Sequence, residues 1–156
     1  MYDLNELKEF KHLMLDIETM ANESYASILS IGALEFDIDT GETGREFHVD
    51  IDLQSCLDIG LIMNGSTVLW WMQQNEEARN EITSKERIHI LEALQMFSVF
   101  CNKDYEVWAR SPRFDCGILI NAYNKAKMDI PWNVKKERCV RTIEFFYPEI
   151  KYNFSR

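Results

Sequence analysis

The chain has 156 residues, of which 46% are hydrophobic and 28% are charged, and its formal net charge is −9. A chain of this length and composition is typical of one globular domain with a sizeable core. It has no apolar run of the roughly 18 residues that a membrane-crossing helix needs, so we expect no membrane partner. The four cysteines are scattered without a Cys-x-x-Cys pair, which argues against a zinc site. With no signal-peptide pattern at the acidic amino terminus, reduced thiols and a cytoplasmic location are expected.

The charge is unevenly distributed along the chain. Residues 103–156 carry 11 Lys and Arg against 7 Asp and Glu, whereas residues 1–102 carry 6 against 19. A negative net charge by itself argues against a nucleic-acid partner. The basic carboxyl-terminal third could nevertheless contact a phosphate backbone, or it could be ordinary surface charge.

Three strands are predicted in the first third of the chain. Alternating apolar and polar residues predict a strand at about 12–18. A second strand is predicted over 27–36 and a third over 46–51, separated by the turn residues Asp39-Thr40-Gly41. Strand, turn and strand in this order predict an antiparallel meander of three strands.

Helical patterns follow the meander. Ser66-Thr67 is predicted to cap a helix that runs to about Gln74, and Asn75 to cap a short second helix through Arg79. Ser84 is predicted to cap a long third helix, which has apolar residues at helical spacing: Ile88, Leu91, Leu94, Phe97 and Cys101.

The last third predicts one more strand and one more helix. Residues 105–110 alternate like a strand, and Ser111-Pro112 is typical of a helix start. Residues 138–143 are compatible with a fifth strand or with a helix. We therefore predict a single α/β domain over residues 1–156, with a mixed five-stranded sheet and helices packed against it.

Two carboxylates on the first strand are the first candidate for chemistry. Asp16 and Glu18 should project from the same face, about 6.6 Å apart along the strand. Two such charges repel each other unless a cation neutralises them, and hard ions such as Mg²⁺ or Mn²⁺ prefer carboxylate oxygens. The alternative is an edge strand with both carboxylates in water.

A second candidate stretch follows the fourth strand. Asp115 falls in the predicted first turn of a helix, where the helix dipole favours an ionised, metal-binding carboxylate. Arg110 and Arg113 flank it and could hold phosphate oxygens. The alternative is an aspartate that only complements the dipole, beside two solvated arginines.

Four ordered stretches resemble one family. Leu15-Asp16-Ile17-Glu18-Thr19-Met20 resembles the first motif of the DEDD, or DnaQ-like, 3′–5′ exonucleases, within the subgroup of phage exonuclease A and the mycobacterial-type exoribonucleases. The stretch from Ser66 to Arg79 is similar to that subgroup's Thr-x-x-Trp-Trp segment. Arg110-Ser111-Pro112-Arg113-Phe114-Asp115 resembles its second acidic motif, and Arg138-Cys139-Val140-Arg141-Thr142 resembles its late Arg-x-x-Arg-Thr signature. The resemblance spans residues 12–145.

The resemblance implies a ribonuclease H-like fold and a two-metal hydrolysis of the 3′-terminal phosphodiester, which releases nucleoside monophosphates. By this resemblance Asp16 bridges two divalent ions, Glu18 completes one site and contacts the terminal nucleotide, and Asp115 holds the second ion. Further nucleic-acid contacts are implied for eight residues: Thr19, Met20, Trp70, Trp71, Arg110, Arg113, Phe114 and Arg141. At least one of the two tryptophans is expected in the core.

The expected substrate is single-stranded nucleic acid or a 3′ overhang, and a homodimer is expected from the same resemblance. The residues do not separate DNA from RNA.

The family's final motif is absent. That motif supplies a fourth aspartate on a last helix, with a His or Tyr about five residues earlier as general base. Here the three histidines, His12, His48 and His89, all precede Asp115, and no Asp follows Asp129. We therefore expect weak catalysis by these residues and a natural protein that extends beyond Arg156. If it ends there, Glu144 or Glu149 is the first candidate for the fourth ligand.

Two other hypotheses follow from the missing motif. One is a catalytically inactive module that binds nucleic acid or docks a partner with the same fold. The other is an unrelated acidic structural domain.

Overall fold

A computed structural model describes residues 8–83 and 86–149. The strands in these ranges are β1 His12–Thr19, β2 Ile28–Phe36, β3 Thr43–Asp50, β4 Glu106–Ala109 and β5 Glu137–Cys139. The α-helices are α1 Leu53–Asp58, α2 Gly65–Met72, α3 Glu76–Ile82, α4 Ile90–Phe100, α5 Asp115–Ala126 and α6 Val140–Phe146. A short 3₁₀ turn, Val134–Lys136, precedes β5. Within the described ranges, none of the helices is both long and apolar enough to cross a membrane.

The strands form one mixed sheet in the order β3-β2-β1-β4-β5. The β1–β2 and β2–β3 pairs are antiparallel, whereas the β1–β4 and β4–β5 pairs are parallel. The predicted meander and the predicted mixed five-stranded sheet are therefore confirmed. β1 is therefore the central strand of the sheet.

The alternation of β1 is the reason for its two different faces. Leu13, Leu15 and Ile17 are at most 4% exposed and belong to the main core. Buried side chains of α4 and α5 complete that core against this inner face: Ile90, Leu94, Phe97, Ile118, Leu119 and Tyr123. On the other face, Asp16 is exposed and Glu18 is half-buried.

A second, smaller core fixes α2 and α3 beside the end of β1. It contains Met20, Leu29 and Trp71, which are all nearly inaccessible to solvent. The Trp71 indole Nε1 donates a hydrogen bond of 3.0 Å to the Thr19 carbonyl oxygen. This hydrogen bond satisfies the polar atom of the buried tryptophan and ties α2 to the strand that carries the carboxylates.

Helix starts differ from the predicted ones where another side chain reaches the free amides. Asn64, rather than Ser66 or Thr67, caps α2, because its side chain accepts from the Thr67 amide at 3.0 Å. His89 caps α4. The predicted cap Ser84 lies outside the described residues. Asn75 caps α3 as predicted.

Two further elements were not predicted in full. Helix α1 has no counterpart in the sequence analysis, although Asp52 caps it with a 2.9 Å hydrogen bond to the Ser55 amide. Residues 138–143 contain both alternatives, because β5 ends at Cys139 and α6 begins at Val140.

Candidate active site

The two carboxylates of β1 share one face of the sheet, as the alternation predicts. Asp16 pairs with Gly32 of β2, and Glu18 pairs with Ser30 of the same strand. Their side chains stand on the outer face, opposite the buried row of leucines and isoleucine. Both carboxylates make contacts within the protein and are not isolated charges.

Asp115 reaches this site because β4 is short. Pairing between β1 and β4 stops at Met14 and Trp108, so the last part of β1 has no β4 partner. The Asp115 carboxylate takes that place, and its Oδ1 accepts from the Ile17 amide at 3.3 Å. The predicted helix start at Ser111 is one turn early, since residues 111–114 form a turn whose Ser111 carbonyl accepts from the Asp115 amide at 3.0 Å.

The electrostatics of Asp115 differ from the expectation based on the helix dipole. Its side chain is only 6% exposed. Burial, and after it the negative charge of Asp16, raise the pKa of the Asp115 carboxyl to about 6, although backbone amides favour its ionised form. Backbone amides at the start of α5 thus favour the ionised carboxylate, while burial and Asp16 oppose it more strongly.

The donor set fits a hard divalent ion. Asp16 and Asp115 lie close enough for the charge of one to raise the pKa of the other, which is the repulsion that a cation relieves. In residues 8–83 and 86–149, no three His, Cys, Asp or Glu side chains are gathered in a geometry that could hold a metal ion. The oxygen chemistry of Asp16 and Asp115 fits such an ion, although the described side chains do not form a three-residue cluster around one point.

A groove of about 490 Å³ opens beside Glu18. It brings together residues from three separate sequence motifs: Ile17, Glu18, Thr19, Asn22, Ser66, Thr67, Trp70, Trp71 and Phe114. Its walls are aromatic on two sides, with Trp70 from α2 and Phe114 from the turn before α5. A flat base and a sugar-phosphate fit such a combination of aromatic faces and polar groups.

The two tryptophans have different environments. Trp71 is 4% exposed and belongs to the small core, whereas Trp70 is 47% exposed. Met20 is also buried, so its side chain is not a surface for a base. Thr19 is buried and donates from Oγ1 to the Ala21 carbonyl at 2.7 Å.

The three predicted arginines occupy exposed positions. Arg110 follows β4, and its Nε lies 3.4 Å from Glu144 Oε1 on α6. Arg113 is exposed in the turn before α5, and Arg141 is exposed on α6. A partly exposed pair such as Arg110 and Glu144 contributes little to stability, and the arginine can exchange its carboxylate partner for a phosphate.

Three polar residues of the groove were not predicted as site residues. Ser66 and Thr67 lie within a recognised motif, so their position was available as a signal, whereas Asn22 lies in a loop that gave none. The Thr67 hydroxyl is buried and has no hydrogen-bond partner among the described residues.

The two glutamates considered as a fourth ligand lie in different places. Glu144 is half-buried on α6 in its pair with Arg110. Glu149 is exposed beyond the end of α6.

The sequence comparison decides the family. The family model described as "3′-5′ exoribonuclease Rv2179c-like domain" matches residues 11–156. The chain belongs to this family. The resemblance that the four ordered motifs indicated is thereby confirmed, and an Rv2179c-like domain accounts for the order in which they occur.

Known proteins with similar sequence or fold are also nucleases. An exodeoxyribonuclease of Enterobacteria phage T4 is 26% identical over 122 residues, which is 69% of this chain and 53% of the phage protein. The chain therefore spans about half the length of that relative.

Two solved structures show the same fold at low identity. E. coli Exonuclease I in complex with a dT13 oligonucleotide has a TM-score of 0.58 and 14% identity, over 78% of this chain and 25% of that one. The nuclease domain of 3′hExo, a DEDDh family member bound to rAMP, has a TM-score of 0.56 and 10% identity, over 92% of this chain and 74% of that one. The ribonuclease H-like fold predicted from the resemblance is confirmed.

Proposed function

We propose that this domain removes nucleoside monophosphates one at a time from the 3′ end of a single-stranded nucleic acid or a 3′ overhang. The observation that carries the proposal is the groove of about 490 Å³, in which Glu18 lies beside Trp70 and Phe114. Acid and aromatic groups from distant parts of the sequence meet there, beside a buried Asp115. This arrangement suits a terminal nucleotide with its phosphate at the carboxylates.

The binding roles follow from exposure. Trp70 and Phe114 offer faces on which the last base stacks, while Trp71 supports Trp70 from the core at a ring distance of 4.9 Å. The polar side chains that line the groove, Asn22 and Ser66, would contact the sugar. Arg110, Arg113 and Arg141 would contact the phosphates of the preceding nucleotides.

The family generally uses divalent metals, and Asp16, Glu18 and Asp115 would hold Mg²⁺ or Mn²⁺ here. Such ions, when bound, polarise the phosphate and activate a water for in-line attack. The chain's own residues fix the terminal base, orient the phosphate and keep Asp115 away from solvent. We also propose a cytoplasmic location, because all four cysteines are free thiols.

The test is a time course with matched DNA and RNA strands of one sequence, labelled at the 5′ end or the 3′ end. We expect the 3′ label to be released first as a mononucleotide, with Mg²⁺ or Mn²⁺ and not with EDTA. The ratio of the release rates from the DNA and the RNA strand shows whether deoxyribose or ribose is preferred. Internal fragments as first products, or binding without any release in either metal, would contradict the proposal, and the second result would favour an inactive binding module.

A variant pair tests the groove. Trp70→Ala should weaken binding of a short oligonucleotide about 5- to 150-fold, because base–aromatic stacking contributes about 1–3 kcal/mol per base. Leu69→Ala is the matched control, since Leu69 is 60% exposed on the same helix but does not line the groove. Equal binding by the two variants would place the base elsewhere.

A further inference from the structure

The regular pairing of β1 with β2 is interrupted beside Glu18. Glu18 pairs with Ser30, whereas the next residue of β1, Thr19, pairs with Ile28. Leu29 lies between the two partners and is therefore the extra residue of a β-bulge, a feature that often re-aims side chains next to active sites. The bulge separates two neighbours of β2, because Ile28 belongs to the main core and Leu29 enters the small core.

The small core at this bulge supports one wall of the groove. Leu29 packs there with Met20 and Trp71. Trp71 carries the exposed Trp70 beside it on α2, and the centres of the two rings are 4.9 Å apart. The other aromatic wall, Phe114, packs against the main core. The width of the groove therefore depends on where the small core lies on the sheet.

Arg87 joins the bulge to the end of β3 and the end of α3. Its Nη1 donates to the carbonyl oxygens of Leu29 and Ile51, both at 2.9 Å. Its Nη2 donates to the carbonyl oxygen of Glu81, on α3, at 2.7 Å. A planar guanidinium presents its donors in a fixed fork, and the ammonium group of a lysine does not reproduce this geometry.

The Arg87 guanidinium is bound through main-chain oxygens. In the part of the chain that the structure describes, Arg87 forms no ion pair. Its Nε is buried without a hydrogen-bond partner there, and an unpaired buried donor costs stability. The side chain lines a cavity of about 190 Å³ together with Glu18, but it does not line the groove beside Trp70. Arg87 thus lies next to the candidate site without entering it.

We propose that Arg87 is a positioning residue for the candidate active site. By holding the Leu29 bulge against α3, it fixes the place of Glu18 and the distance between the walls at Trp70 and Phe114. Its action is indirect, through the backbone of the bulge and the small core. The inference rests on the proposed exonuclease function, because the position of these groups matters only where a terminal nucleotide is bound and released.

The test compares Arg87→Lys with Arg45→Lys in single-turnover release of the 3′-terminal nucleotide at saturating protein. We expect the rate of Arg87→Lys to fall about 10- to 100-fold, because a misplacement of about 1 Å at a reacting group can cost about 10²-fold.

Arg45→Lys is the matched control at the opposite end of the sheet. The Arg45 guanidinium also makes several hydrogen bonds, to Glu35 and to the Tyr105 hydroxyl. Glu35 pairs with Leu13 near the start of β1, whereas Glu18 lies near its end. Arg45→Lys should therefore lower the melting temperature and leave the release rate unchanged.

Chemical rescue separates position from stability. In Arg87→Ala, free guanidinium can occupy the space of the lost side chain and donate to the same carbonyl oxygens. Millimolar guanidinium chloride should therefore restore part of the rate, whereas sodium chloride at the same concentration should not. Guanidinium does not stabilise proteins in general, so a gain in rate would not follow from stability. An equal effect of the two salts would contradict the positioning role.

A second measurement does not depend on turnover. The Trp71 indole Nε1 donates to the Thr19 carbonyl, directly after Glu18, so its NMR signal reports where the small core lies on β1. We expect this signal to shift in folded Arg87→Lys and to stay unchanged in Arg45→Lys.

Three results would overturn the role of Arg87 alone. They are an unchanged Trp71 signal in Arg87→Lys, release by Arg87→Lys at the rate of Arg45→Lys, and failure of both Arg87 variants to fold when Arg45→Lys folds. No release by the unsubstituted protein with Mg²⁺ or Mn²⁺ would instead contradict the proposed function, and the Trp71 signal would still test the effect of Arg87 on the site.

Discussion

Asp115 is the carboxyl group whose surroundings decide the electrostatics of the site. It is nearly inaccessible, it accepts from the Ile17 amide, and its pKa is raised to about 6 by burial and by Asp16. Its ionisation therefore costs stability in the folded protein, since the pKa is higher than in the unfolded chain. The cost is absent below about pH 4 and complete above about pH 6.

Asp16→Asn should relieve part of this cost. In metal-free buffer near pH 7 we expect the melting temperature to rise by about 1–3 °C, because 1 kcal/mol corresponds to about 2–4 °C in a domain of this size. The gain should appear as the pH rises from about 4 to 6 and vanish at acidic pH, and Asp129→Asn, at an exposed position, should show none. Calorimetry across pH tests this, and a loss of several degrees at pH 7 would make Asp16 a structural residue.

Arg110 and Arg113 are each expected to contact one phosphate of a bound strand. Replacing both by Gln should weaken oligonucleotide binding and reduce the slope of log K against log[salt] by about 1–2, since each lost phosphate contact on a single strand contributes about 0.7. Lys125→Gln and Lys127→Gln together provide a control of equal charge at the far end of α5. An unchanged slope in the arginine variant would assign both side chains to the solvated surface.

At the scale of elements, the close contact of β3 with Phe10 and β2 depends on one glycine. A Cβ at Gly44 would come within 2.6 Å of the Phe10 ring and 2.7 Å of Glu35 Oε2. Glu35 is buried and accepts from Arg45 and from the Tyr105 hydroxyl, so it cannot move away without breaking that network.

Gly44→Ala should therefore destabilise the protein by about 1–3 kcal/mol, the usual effect of overpacking. Gly32→Ala on the neighbouring strand β2 is the matched control, because its Cβ would meet only the Asp16 carbonyl oxygen, at an ordinary contact distance of 3.8 Å. Urea denaturation gives both values. Equal stability of the two variants would show that Phe10 or Glu35 gives way at little cost.

The elements that could be predicted from the sequence are those long enough for their hydrophobic pattern to repeat. The alternation in β1 gave the strand, its buried face and the shared face of Asp16 and Glu18, and the burial of Leu13, Leu15 and Ile17 confirms it. Helix α1 has only six residues, too few for a helical pattern to repeat, and the start of α2 depended on which polar side chain reached the Thr67 amide. Propensity alone does not decide between Asn64 and Ser66 as a cap.

Site residues that belong to a continuous sequence motif could be predicted, whereas neighbours that depend on the pairing register of the strands could not. Asp16, Gly32 and His48 lie in one row across three strands only because β2 and β3 pair in one register, and a slip of one residue would turn His48 to the other face. The raised pKa of Asp115 likewise depends on burial, which helix position does not reveal.

For the whole molecule, the family resemblance leads us to expect a homodimer. Static light scattering should give a mass of about twice the 18.4 kDa of one chain. A mass of one chain at every concentration would contradict this expectation without affecting the site.

The central claim is that the groove at the end of β1, with Asp16 beside it, is where the 3′-terminal nucleotide is removed. The most direct measurement is the metal-dependent release of a fluorescent 2-aminopurine nucleotide from the 3′ end of a single strand. We predict release by the unsubstituted protein and by Asp129→Asn, and a loss of at least about 10³-fold for Asp16→Asn. Release by Asp16→Asn at the rate of Asp129→Asn would contradict the account.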